Sequence, residues 1–426
     1  VTLDIPRLRA EFPALRLTDS GRPRIYLDNP AGTQVPNAVL ARTTECLVRA
    51  NANLGGRFAT TLAAGALVDA ARQAMADLLG AGSGEEIVFG QNMTSLAFHV
   101  SRALSAGWGA GDEVVVTRLD HDANIAPWLI AARERGAAVR WIDLDPARYE
   151  LDLAGLPVLL GPRTRLVAVG YASNALGTVN DLPAIVAAVR ALAPRALVFV
   201  DAVQYAPHGP IDVAALGCDL LACSPYKFFG PHQGVLWARP GLLEALPAYK
   251  VRPAGAAMPD RVETGTLSHE GMAGTLGAVE YLAWVGATMG PGLAPLPGES
   301  PRRRDLRAAW AALVPYEAAL CRRLLDGLAR LPGVTVRGIT DPAALDRRVP
   351  TVSLTHDRLP PAALAQACAD QGIFVWDGHN YAVEVMRRLG LLERGGALRI
   401  GPAHYNTEGE IDRLLEVLDG AIRSAR

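Results

Sequence analysis

Lysine is almost missing from this chain of 426 residues. Of its 42 basic side chains only Lys227 and Lys250 are lysines, and arginine supplies every other cation. Net charge is missing too: 42 basic residues face 43 acidic ones, a formal charge of -1, so no global field favours nucleic acid or an anionic membrane as partner. Long apolar runs are absent. The stretches "LVFVDAV" and "GVLWA" fall well short of the roughly 20 residues of a membrane helix. The opening "VTLDIPRLRA" carries no signal-peptide core, so a cytoplasmic protein is expected. The five cysteines (Cys46, Cys218, Cys223, Cys321 and Cys368) stand apart without C-x-x-C spacing, which argues against a disulfide framework and a zinc knuckle. His269, His379 and His404 lack H-E-x-x-H spacing, no G-x-G-x-x-G opens a helix after an early strand, and no P-loop occurs. Small-molecule chemistry of another kind is left.

What is there is a chain that is 50% hydrophobic, enough for a large core. Seven strand-like segments alternate with Ala-, Leu- and Arg-rich helical patterns: "EIVFG" (86–90), "EVVVT" (113–117), "AVRWIDL" (138–144), "RLVAVGYAS" (165–173), "ALVFVDAV" (196–203), "LLACS" (220–224) and "GVLWA" (234–238). Runs apolar on both faces suit strands covered by helices on both sides, which predicts an α/β fold with a mainly parallel seven-stranded sheet. Ligands of such sheets sit at the carboxyl ends of the strands. Helical patterns cover 93–104 and 182–193, and the first comes after the turn "QN", whose backbone N–H groups can meet an anion. From Gly286 to Pro301 the composition turns rich in Gly and Pro, which reads as a linker, followed by a helical pattern through Leu331 and a small α+β domain. The expected organisation is an N-terminal segment over 1–20 packing with the small domain, a large domain over 21–290 and a small domain over 291–426.

Asp201 closes one expected strand, and Lys227 comes after another, 26 residues later. Two such strand ends can converge on one cleft. A partly desolvated lysine there can form a Schiff base with an aldehyde, and an aspartate can pair with a protonated ring nitrogen, which together are the protein half of pyridoxal 5'-phosphate (PLP) catalysis. Arginine stays protonated and cannot be the amine nucleophile, a chemical reason for lysine in a chain that otherwise uses arginine. On spacing alone, Asp201 as a helix cap and Lys227 as a solvated turn residue stay equally open.

The pieces "YLDNPAGTQVP" (26–36), "DHDANIAPW" (120–128), "ASNALGTVND" (172–181), "VDAVQYAPHGPIDVAALGCD" (200–219), "CSPYKFFGPHQGVL" (223–236), "ETGTLSHEG" (263–271) and "LRIGPAHYNTEGEIDRLLEVL" (398–418) shift the balance. Taken in order they resemble the class V aminotransferase family of fold-type I PLP enzymes, especially its cysteine desulfurase and selenocysteine lyase branch. The resemblance implies a homodimer acting on an amino acid. It makes Lys227 the Schiff-base lysine and proton shuttle, Asp201 the partner of the pyridine nitrogen, and His121 the imidazole stacked over the ring. Gln204 and Asn174 match positions at the cofactor's phenolic oxygen and ring edge. Thr94 and Ser224 match phosphate donors, and Tyr226 stands where the family usually has histidine. Gly265 and Thr266 match a segment that reaches the neighbouring subunit's phosphate. Arg399 matches the arginine for the substrate carboxylate, with Asn29 in the loop on the substrate side. His208 reads as structural.

One departure decides the expected chemistry. The segment "GIFVWDGHNYAVEV" (372–385) resembles the mobile loop whose cysteine carries the persulfide in desulfurases, but it places Tyr381 at that position and Trp376 where an arginine is common. Cys368 lies nearby in "AALAQACAD", an amphipathic pattern that reads as a core helix. The expectation is therefore a C–S lyase acting on a cysteine derivative, with Trp376 and Tyr381 at the substrate. Transamination or epimerisation, and a homologue that binds PLP without catalysis, are the alternatives.

Overall fold

The computed structural model describes residues 3–424. The seven apolar segments form one sheet from β1 (Ile87–Gly90), β2 (Glu113–Thr117), β3 (Ala138–Ile142), β4 (Thr164–Gly170), β5 (Leu197–Asp201), β6 (Leu220–Cys223) and β7 (Gly234–Ala238). Their spatial order is β1-β7-β6-β5-β4-β2-β3. The strands from β6 through β3 run parallel, and β7 is antiparallel to both its neighbours. The central valines and leucines are inaccessible on both faces, with Val115, Val167 and Leu221 in one core cluster and Val114, Leu166 and Leu220 in another. This alternation between two cores is the physical content of a strand apolar on both sides.

Helices α1 (Asn37–Arg49), α2 (Ala59–Leu79), α3 (Met93–Ser105), α4 (Leu182–Leu192) and α5 (His269–Met289) belong to this large domain. Asn92 caps α3 through a reciprocal pair with Ser95, which holds the first N–H groups of that helix at the carboxyl end of β1. The helix α5 runs through Gly286, so the linker covers 290–300 and not the whole of 286–301. Gly286 is there for packing: a Cβ would overlap the Asp305 carbonyl of α6 (Pro301–Leu328), where the two helices cross closely.

The small domain carries a four-stranded antiparallel sheet, ordered β8 (Val334–Arg337), β9 (Val352–His356), β11 (Ala397–Ile400), β10 (Trp376–Gly378). Leu364 and Cys368 of α7 (Pro361–Ala369) and Leu414 and Leu418 of α8 (Glu408–Ser424) pack over it. Helix α6 serves both cores: Leu306, Trp310 and Leu313 join the large one, while Leu320, Leu324 and Leu328 join the small one. Two boundaries shift from the sequence reading. Ile25–Tyr26 pair with Ile373–Phe374, and Leu27 enters the small core, so the chain just after residue 21 belongs with the small domain. The N-terminal segment touches both domains, since Arg9 pairs with Glu410 at 2.9 Å while Leu8 and Phe12 are buried in the large core.

Candidate active site

The carboxyl ends of β1, β2, β4, β5 and β6 open onto one cavity. Thr94, His121, Asn174, Asp201, Gln204, Ser224, Tyr226 and Lys227 all line it, although the chain separates the first from the last by more than a hundred residues. Each arrives by the same device, a buried strand ending in a polar turn.

Asp201, the last residue of β5, is 7% exposed. Its Oδ1 accepts from the Val203 amide at 2.9 Å. Burial raises its pKa to about 6, opposed by that amide and by the charge of Lys227. Such a carboxylate wants a close cation. Lys227 lies in the turn Pro225–Lys227, where its Nζ donates to the carbonyls of Pro30 and, at 3.1 Å, Ala31. Burial lowers its pKa to about 7, Arg399 adds repulsion, and Asp28 and Asp201 oppose the fall. The amine is therefore substantially neutral near pH 7, the form that attacks a carbonyl.

His121 is driven the same way, down to about 4, by burial first and then by the charges of Lys227 and Arg399. Its Nδ1 accepts from the Ala123 amide at 3.0 Å, so the neutral ring carries its proton on Nε2. Tyr381 stacks on the imidazole, with centroids 5.5 Å apart and planes 16° from parallel. Ser224 Oγ accepts from Met93 N at 3.3 Å, joining the β6 end to the capped start of α3, whose second residue is Thr94. Tyr226 stacks on His232 at 4.8 Å.

Arg399 enters from β11 of the small domain and is buried. Nη1 donates to the Asn174 carbonyl and Nη2 to Asp28 Oδ1, both at 3.2 Å. Its Nε has no partner. The guanidinium is thus clamped on two sides, and its Nε–H, buried and just outside the lining of the cavity, is left for a further acceptor. Asn174 Nδ2 donates to the Asn380 carbonyl at 2.7 Å, and Gln204 Nε2 donates to Thr351 Oγ1 at 2.9 Å. The Oδ1 and Oε1 atoms of those two amides are buried without partners. Orphaned polar atoms of this kind around a cavity are costly unless a polar ligand meets them. A pyridine ring with an acidic nitrogen, a phenolic oxygen, an aldehyde and a phosphate matches the donors and acceptors present: Asp201, Gln204 and Asn174, Lys227, and Ser224 with Thr94.

Three residues, Asn29, Trp376 and Tyr381, sit differently from the sequence reading. Asn29 is not free for substrate: Nδ2 donates to the carbonyls of Gly401 (2.7 Å) and Tyr26 (3.1 Å) and to Asn406 Oδ1 (3.1 Å), while its Oδ1 accepts from Tyr405. With every polar atom of its side chain engaged it is a fastener between domains. Trp376 is the cross-strand neighbour of Arg399 in β10, yet 57% exposed, and Tyr381 is 67% exposed. Neither lines the cavity, because the segment is pinned by its backbone, with Tyr381 O accepting from Asp122 N at 2.8 Å. Gly265 and Thr266 are exposed and lie outside the lining of this chain's own cavity.

Two carboxylates escaped the sequence reading. Asp120 receives Thr117 Oγ1 (2.8 Å), the Gly170 amide (2.9 Å) and Asn124 Nδ2 (2.7 Å), and burial raises it to about 7. Asp28 pairs with Arg399 and is raised by burial. Both stood inside quoted motifs, next to the histidine in "DHDAN" and before the asparagine in "YLDNP", but nothing in either motif says that the carboxylate turns inward.

The profile of the aminotransferase class-V family matches residues 25–289 and 307–414, leaving out most of the linker. An aminotransferase-like protein of Gibberella zeae is 33% identical over 98% of each chain. A cysteine desulfurase of Klebsiella pneumoniae is 32% identical over 97% of each. Among solved structures, the cysteine desulfurase CsdA of Escherichia coli superposes with a TM-score of 0.83 at 27% identity over 100% of both chains. The apo cysteine desulfurase of Thermococcus onnurineus superposes with 0.86 at 25% identity over 100% of this chain and 99% of that one. With its seven-stranded sheet, its small C-terminal domain and its lysine and aspartate at the strand ends, the chain belongs to the class-V aminotransferase family of fold-type I, PLP-dependent enzymes.

Proposed function

We propose that the protein is a C–S β-lyase acting on an S-substituted cysteine. The observation that carries this reading is the lack of an acceptor thiol: all five cysteines are buried, and among the described residues none lines the cavity. At the position that resembles the persulfide-carrying cysteine stands Tyr381, whose phenol cannot hold sulfane sulfur.

PLP, once bound, supplies an electron sink at the substrate Cα. The free Nε–H of Arg399 binds the substrate carboxylate and fixes the Cα–H bond relative to Lys227. Lys227, neutral near pH 7, takes the Cα proton. The Cβ–S bond then breaks, the electron pair leaving with sulfur as a thiolate that gains a proton, and the unsaturated amino acid left behind reacts with water to give pyruvate and ammonia. Asp201 would hold the ring nitrogen of the bound cofactor by its charge, and the Asp120 carboxylate ties the His121 turn to β2 and β4. Trp376 and Tyr381, exposed at the outer side of the substrate arginine and of His121, suit a bulky group on sulfur.

The working unit in this reading is a homodimer that shares its active sites. Leu40, Leu47, Val48, Leu54, Phe58 and Leu62 are exposed on α1, α2 and the segment joining them, apolar side chains that a partner subunit would cover. Gly265 and Thr266 would reach the partner's phosphate. Among the described residues no helix is long and apolar enough to cross a membrane, and unpaired buried cysteines fit the reducing cytoplasm.

The test is a panel of S-alkyl and S-aryl cysteines, with pyruvate and released thiol expected in equal amounts. Exchange of the Cα proton with deuterated solvent, without pyruvate, would replace elimination by transamination or epimerisation. A cofactor band that no amino acid perturbs would leave a binding protein without catalysis.

A further inference from the structure

The Gln204 amide lies at the cavity wall, and its one partner comes from the other domain. Thr351, fully buried immediately before β9 of the small domain, meets it at 2.9 Å. With Nε2 turned to Thr351, the threonine oxygen only accepts: its own hydroxyl proton is left to place, and Gln204 Oε1 is buried without a donor. Two groups are then unsatisfied at once. A half-turn of the amide removes both faults. The Thr351 hydroxyl donates to Oε1, and Nε2, with two protons, faces the cavity. The threonine main chain is held in place for this, since its carbonyl accepts from Arg348 Nη2 at 2.6 Å.

We propose that Thr351 is a positioning residue that turns the Gln204 amide, so that an N–H and not a carbonyl meets the phenolic oxygen of the cofactor. The inference rests on the reading that places Gln204 beside that oxygen. A donor there stabilises the phenolate over forms in which that oxygen shares the imine proton, so it lowers the pH at which the lysine-bound cofactor loses that proton. An amide oxygen in its place would repel the phenolate and raise it. Because Thr351 belongs to the small domain, the charge distribution of the cofactor depends on how that domain is seated against the large one.

The experiment is a spectrophotometric pH titration of the holoenzyme without substrate. Thr351→Val keeps the shape and removes the hydroxyl. Its titration midpoint is expected to rise by about one to two pH units, as for loss of one hydrogen bond to a charged group. Thr351→Ser should restore the original midpoint, which a purely structural role of the methyl group would not do. Gln204→Leu separates the inference from the reading beneath it. If Gln204→Leu raises the midpoint and Thr351→Val does not, the amide reads the cofactor but Thr351 does not orient it, and the proposal falls. If Gln204→Leu leaves the midpoint unchanged, the placement of Gln204 falls and the proposal with it. Should Thr351→Val fail to fold, Thr351→Ala takes its place, with the same expected rise and the same refuting result.

Discussion

Lys227 is the residue whose environment most departs from that of an ordinary lysine, and the departure can be measured on the way into the holoenzyme. Its pKa falls from 10.5 to about 7, chiefly through burial and secondarily through Arg399. At pH 7 about half of the amines are then neutral, against about one in 3,000 for an unperturbed lysine. Since only the neutral amine attacks the aldehyde, apoprotein mixed with PLP should develop the visible band of the lysine-bound cofactor at a rate rising about ten-fold per pH unit below pH 7. Above about pH 7.5 the rate should level off. The reasoning is refuted if the rate keeps climbing at that slope through pH 9, because the amine would then titrate as a solvated one. Stability of the apoprotein gives a second reading with a defined sign. Between pH 7 and 10.5 the unfolded chain holds a proton on Lys227 that the folded chain has lost, so the apoprotein gains stability as pH rises through that window. 

Lys227→Met should be the more stable apoprotein below pH 7 and should lose that advantage by pH 10.5. A constant difference between the two across the range would contradict a buried, depressed amine.

Arg399→Lys keeps the charge but replaces a planar two-point contact by a point charge. Loss of one contact of about 1.5–3 kcal/mol should lower kcat/KM by about 10- to 100-fold, with the cofactor spectrum unchanged in the absence of substrate. Asp201→Asn removes the charge opposite the ring nitrogen while preserving shape. PLP should still bind through Lys227, and turnover should drop by about 10- to 100-fold, as for loss of a charged hydrogen bond; single-turnover kinetics separate the two effects. Gly286→Ala places a methyl group against the Asp305 carbonyl where α5 and α6 cross. Overpacking of this kind costs about 1–3 kcal/mol, visible as a lowered Tm of the holoenzyme.

The large sheet was legible because its strands are apolar on both faces and short, and all seven expected segments pair in it. Spacing alone left Asp201 as a helix cap and Lys227 as a solvated turn residue equally open, and it was the ordered resemblance of seven motifs that pointed to both. Linker and boundary errors have a different origin. Gly286 reads as a breaker in sequence, but the closeness of another helix gives glycine a packing role that no one-dimensional pattern distinguishes. Residues 25–27 read as part of the large domain, yet their pairing partner is about 350 positions away. Whether Trp376 and Tyr381 turn inward was equally hidden: it depends on a backbone pinned by Asp122 N and by Asn174 Nδ2, contacts between distant segments.

Asn29 shows how such long-range contacts organise the site as a whole. It was expected to meet substrate, and it spends its amide on Gly401 and Asn406 and its oxygen on Tyr405, all from the small domain. The next residues, Pro30 and Ala31, offer the carbonyls to which Lys227 donates. Next to Tyr405, the ring of His404 bonds Tyr281 at 2.8 Å on α5 and faces the Glu317 carboxylate of α6, which His208 meets at 2.7 Å from the turn after β5. A chain of buried polar contacts therefore runs from the large domain through both long helices to the loop that holds the lysine, interrupted between His404 Nδ1 and Glu317 Oε1, which stand 3.7 Å apart without hydrogen-bond partners. Breaking a member of such a chain leaves an unpaired buried group, which is why it can hold a geometry more firmly than apolar packing, and also why its residues cannot be exchanged singly. His208, which read as structural in sequence, is structural in that specific sense: it joins the segment after Asp201 that carries Gln204 to helix α6, and through it to the domain whose Arg399 bonds the Asn174 carbonyl at the cavity wall.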